Sequence, residues 1–83
     1  MYRQIEPALR MTANEASERY MDDYIIIRMD SKNPSCEMGF VLYVGDDGDE
    51  LFSLVLKLDD PSLYRVVEGL DLLCSLGGIV VGV

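Results

Sequence analysis

The chain has 83 residues and a mass of 9.3 kDa, room for one domain. Fifteen acidic residues against seven basic ones give a net charge of −8, and neither histidine nor tryptophan occurs. With 49% apolar residues the composition is that of a folded protein. The missing imidazole excludes Ser-His-Asp and Cys-His chemistry, and two cysteines fall short of the ligands zinc requires.

Residues 1–11, with Pro7 among them, read as a loosely ordered arm, leaving 12–83 as a single α+β domain. Thr12-Ala13-Asn14-Glu15 has the spacing of a capping box, in which hydroxyl and carboxylate each satisfy a backbone N–H of the other. A helix is therefore expected from Ala13 to Tyr20, with Ala13, Ala16 and Tyr20 on its apolar stripe. Tyr24-Ile25-Ile26-Ile27-Arg28-Met29 reads as a strand, because β-branched side chains are stiff at χ1 and favour extended backbone. Residues 31–35 have loop composition, and Gly39 to Val44 reads as a second strand in an antiparallel hairpin with the first.

Asp46-Asp47-Gly48-Asp49-Glu50 ends that strand and opens a helix, Asp47 and Glu50 again standing at capping-box spacing. Leu51, Leu54, Val55 and Leu58 fall on one helical stripe, while Phe52 and Leu56 are apolar on another side. Asp60-Pro61 marks the next boundary. Residues 62–76 fit two patterns. As a helix they align Leu63, Val66, Val67, Leu70, Leu73 and Cys74; as a strand, Leu63 to Val67 is β-rich and ends at Glu68-Gly69. Six stripe positions favour the helix. Ile79 to Val83 reads as a last strand. The fold expected is a two-layer α+β domain, a three- or four-stranded and largely antiparallel sheet packed by two or three helices.

The seven basic residues are spread singly, so the phosphate-binding cluster of a nucleic-acid protein is missing, and a net −8 opposes approach to DNA or RNA. No P-loop occurs, since neither lysine follows a glycine. The longest uncharged run, Leu72 to Val83, is too short to span a bilayer, and the first residues hold no apolar segment of a secretory leader. A cytoplasmic protein with Cys36 and Cys74 as free thiols is expected, with Cys74 in the core.

Three features bear on function. The carboxylates Asp46, Asp47, Asp49 and Glu50 are the candidate ligands for a divalent cation, but an EF-hand loop would need glutamate where Lys57 or Leu58 stands. They read first as a strand-to-helix turn whose charge suits the helix dipole. Residues 46–83 carry a net −6 against −2 for residues 1–45, so an acidic mimic of nucleic acid is a second reading. The third feature is the apolar helix itself. Within residues 51–58 only Ser53 and Lys57 are polar, which suggests contact with another protein or a second copy through Leu51, Phe52, Val55 and Leu56.

Glu15 to Tyr20, Asp23 to Ile27 and Leu42 to Glu50 resemble segments of small uncharacterised bacterial α+β proteins. The resemblance rests on structural punctuation over roughly half the chain and implies no activity and no functional residues. The function expected is a small acidic, non-catalytic interaction or self-associating module without a cofactor. Alternatives are a nucleic-acid-mimic inhibitor of a basic partner and a divalent-cation-binding protein.

Overall fold

A computed structural model describes residues 1–72. The elements are β1 (Tyr2–Thr12), α1 (Ala13–Arg19), β2 (Tyr24–Met29), β3 (Met38–Gly45), α2 (Gly48–Leu56), a 3-10 turn at Pro61–Leu63, and β4 (Tyr64–Glu68). The four strands form one antiparallel sheet in the order β1-β3-β2-β4. The expected α+β class with an antiparallel sheet is what the chain adopts.

The β2–β3 hairpin is the centre of the sheet. Tyr24 lies opposite Gly45 at one end and Met29 opposite Gly39 at the other. Ile26 faces Tyr43 but Ile27 faces Val41, so Leu42 is an extra residue on β3. Ile25, Ile26 and Ile27 are all fully buried. Successive side chains of a strand point to opposite faces, so burial of all three requires cover on both sides of β2. Ile25 and Ile27 join Met11, Ala16, Met29, Val41 and Val44 in one cluster, beneath α1. Ile26 joins Leu51 and Val55 in another, beneath α2. The two helices thus divide between the faces, one to each.

Two stretches differ from expectation. Residues 1–11, expected as an arm, lie almost wholly in β1 (Tyr2–Thr12), which runs along the outer edge of β3 with Tyr2 opposite Gly45 and Thr12 opposite Met38. Ile5, Leu9 and Met11 add to the α1-side cluster, and that burial holds the strand down. Pro7 lies in the irregularity between Gln4 and Leu9, on an edge strand where the sheet asks no N–H of it.

Within 62–76, the favoured helix gives way to β4 at Tyr64–Glu68. β4 pairs residue by residue with β2, from Tyr24 opposite Glu68 to Arg28 opposite Tyr64. The reason is a backbone one. Without β4 the peptide groups on that side of Ile25–Ile27 would be left unpaired beside a dry core. Val66 and Val67 also point to opposite faces and feed both clusters, which a single helical stripe could not do. Asp60 and Pro61 start a 3-10 turn instead of a helix. Leu73, Cys74 and the strand expected at Ile79 to Val83 lie outside the described residues.

Gly69, just past β4, is required by a close approach. A Cβ there would collide with the carbonyl oxygens of Tyr20 and Met21, both of them backbone. On the α1 side the one buried polar side chain among the described residues is Ser17, whose hydroxyl donates to the Glu68 carbonyl at 2.8 Å. Helix α1 thereby ties the end of β4 to the strands it crosses.

The capping box at α1 is complete. The Thr12 hydroxyl accepts from the Glu15 N–H, and the Glu15 carboxylate accepts from the Thr12 N–H, each at 3.1 Å. A helix of seven residues has little stability of its own. Thr12→Ala should therefore lower the unfolding free energy by about 1 kcal/mol in a denaturant titration, with Thr12→Ser close to wild type. An unchanged midpoint for Thr12→Ala would mean that packing of Ala16 alone holds α1.

Candidate functional site

Helix α2 lies across β3, β2 and β4 on the face opposite α1. Its start is fixed by Asp47, whose carboxylate accepts from the N–H groups of Asp49 at 3.0 Å and Glu50 at 3.4 Å. The reciprocal half of the expected capping box is not made. The Glu50 carboxylate turns instead to the Met1 ammonium at 3.1 Å. Gly48, the first helical residue, carries the ring of Tyr24 against it; a Cβ there would stand 2.9 Å from Tyr24 Cε1. The missing side chain lets α2 begin directly over the sheet.

Once α2 is seated, its apolar residues separate into two sets. Leu51 is fully buried and Val55 is 5% exposed, both packed with Ile26 above Tyr24, Tyr43, Tyr64 and Val66. Phe52 is 57% exposed and Leu56 61%, one turn apart on the outer side. Of the four residues expected to make a contact, Leu51 and Val55 are consumed inside the chain, because the sheet face beneath α2 is apolar and takes the Leu51–Val55 stripe. Phe52 and Leu56 remain as a surface pair.

Phe52 is also one wall of a shallow depression whose other sides are Tyr24, Asp47, Asp49, Val66 and Glu68. Sequence reasoning missed Val66 and Glu68 here, because they belong to the stretch read as helix. The strand pattern at Leu63 to Val67 held the signal: alternation places Val66 on the same sheet face as Tyr24.

The four candidate cation ligands do separate work. Asp46 accepts from the Met1 ammonium at 2.6 Å, Glu50 pairs with the same ammonium, Asp47 caps α2, and Asp49 sits exposed in the first turn. Hydrogen bonding to Asp46 and then Glu50 holds the Met1 ammonium above its usual pKa, and the same ammonium holds the Asp46 carboxyl below its own. At the other end of the helix, the hydroxyl of Ser62 and then the ammonium of Lys32 lower the Asp60 pKa. These pairs are exposed to water and add little to stability. Among the described residues, no three histidine, cysteine or carboxylate groups converge on a point that could hold a metal ion.

A mimic of nucleic acid would line one face with carboxylates, whereas these gather at the two ends of α2. Among the described residues no helix is long and apolar enough to cross a membrane. Cys36 is half-buried, its thiol donating to the Met38 carbonyl at 3.4 Å. Comparison with models of protein families, with curated proteins and with solved structures found no match.

The division of α2 has a direct test in stability. Leu51→Ala should cost about 2–5 kcal/mol by denaturant titration, the range for a buried leucine, while Leu56→Ser should stay within about 0.5 kcal/mol of wild type. Similar costs for both would mean that Leu56 is covered.

A second test concerns the pair Asp22 and Asp71. Interaction with the Asp22 side chain raises the Asp71 pKa. An acid whose folded pKa is raised costs stability increasingly as the pH rises above its unfolded pKa, fully so beyond the folded one, and costs nothing where it is protonated in both states. Asp71→Asn should therefore raise the melting midpoint near pH 7 and leave it unchanged near pH 2.5, well below the usual carboxyl range. An equal shift at both pH values would assign the effect to packing instead.

Proposed function

We propose that the chain is a non-catalytic interaction module of the cytoplasm, and that its contact surface is the outer side of α2. The observation that carries this reading is the exposure of Phe52 and Leu56. They are large apolar side chains on adjacent turns, on a helix that has already filled the sheet face beneath it. Isolated exposed apolar residues are ordinary, but an aromatic and a leucine side by side on one helix face form an anchor of the kind that docks a partner.

The lack of histidine and the shallow depressions of the described surface support a role in binding over one in catalysis. The free Cys36 thiol suits a reducing compartment. The partner is another protein or a second copy of the chain.

A photoreactive amino acid placed at position 52 should give a discrete crosslinked product in cells, of twice the chain's mass if the partner is a second copy. The same group at Ser31, in the exposed loop between β2 and β3, should give none. Phe52→Asp should lower the association state, or abolish the crosslink from position 56, with the melting curve unchanged. No product from position 52 would sink the assignment of this face.

A further inference from the structure

We infer that the occupant of the α2 face is a basic amphipathic segment of another protein. This rests on the reading of that face as the contact surface and adds the partner's chemistry. The face has an apolar centre with carboxylates gathered around it. Residues 46–60 hold six carboxylates, Asp46, Asp47, Asp49, Glu50, Asp59 and Asp60, against the single base Lys57. Three of the six are already paired: Asp46 and Glu50 with the Met1 ammonium, Asp60 with Lys32. Asp47, Asp49 and Asp59 form no ion pair among the described residues.

Glu68 adds a fourth such carboxylate, across the depression beside Phe52. No basic side chain lines that depression. The surface offered is therefore an aromatic and a leucine between two acidic ends.

This arrangement discriminates against a second copy. If two α2 helices packed in parallel, acidic start would meet acidic start. If they packed antiparallel, Asp47 and Asp49 of one copy would meet Asp59 of the other. Both orientations set carboxylates against carboxylates, which opposes association. A segment with two apolar anchors one helical turn apart, flanked by lysine or arginine, meets the same surface with complementary charge at both ends. Its anchors cover Phe52 and Leu56, and its cations reach Asp49 with Glu68 at one end and Asp59 at the other.

The test is a titration of the ¹⁵N-labelled full chain, followed by NMR, with two helical peptides. Both carry leucines at i, i+3, i+4 and i+7; one has lysine and the other glutamate at the remaining sites. The lysine peptide should shift the amides of Asp49, Phe52, Ser53 and Leu56. Its affinity should fall roughly tenfold as salt rises from about 0.1 M to 1 M, over which the screening length contracts from about 10 Å to 3 Å. Asp49→Asn with Asp59→Asn should weaken it several-fold, and Phe52→Ser should remove the α2 shifts; an unchanged free spectrum away from these positions shows that both variants fold.

Equal binding of the glutamate peptide at α2 would overturn the inference while leaving α2 as the contact surface. So would a wild-type dimer in light scattering that Phe52→Asp dissociates. Binding of the lysine peptide away from α2, untouched by Phe52→Ser, would overturn both. No binding of the lysine peptide would overturn the inference, and the crosslink at position 52 would then stand as the separate test of the surface.

Discussion

Three consecutive isoleucines, Ile25 to Ile27, are the constraint on which the rest of this molecule depends. All three are fully buried in one strand. A strand alternates its faces, so neither side of β2 can be left to water. That demand places α1 over one face and α2 over the other, and it requires a strand on each side of β2, because open backbone beside Ile25–Ile27 would be costly. β3 satisfies one side and β4 the other. The position of α2, and with it the outward direction of Phe52 and Leu56, follows from the need to cover Ile26.

The elements with local chemical signals were readable in advance. Thr12 and Glu15 announced α1 through a capping box, and the isoleucines announced β2 through backbone preference. Asp47 announced the start of α2. The elements that depend on distant partners were not. β1 is a strand only because β3 offers it an edge, and Pro7 hides the pattern by sitting at the irregularity. β4 contains positions that would satisfy a helical stripe, and only the pairing with β2, some forty residues earlier in the chain, makes the extended form prevail.

The surface shows the same limit. The apolar excess of α2 was visible in its residues, but which half faces outward depended on the sheet beneath it. Leu51 and Val55 belong to the interior, and Phe52 and Leu56 to the surface. The carboxylates at 46–50 looked like one cluster and act as several separate groups: a helix cap, two partners for an ammonium, and a free charge. Proximity in sequence overstated their convergence in space.

The strand order has a kinetic meaning. β2 and β3 are neighbours in the chain and form a local hairpin. β1 and β4 flank that hairpin from opposite ends of the described chain, so each must close a longer loop before its contacts contribute. Of the three strand pairings, the hairpin is the one that closes the shortest loop. Ser17, on the helix that follows β1, donates to the last carbonyl of β4. That hydrogen bond can form only when α1 and β4 are both in place, so it couples an early helix to the last described strand.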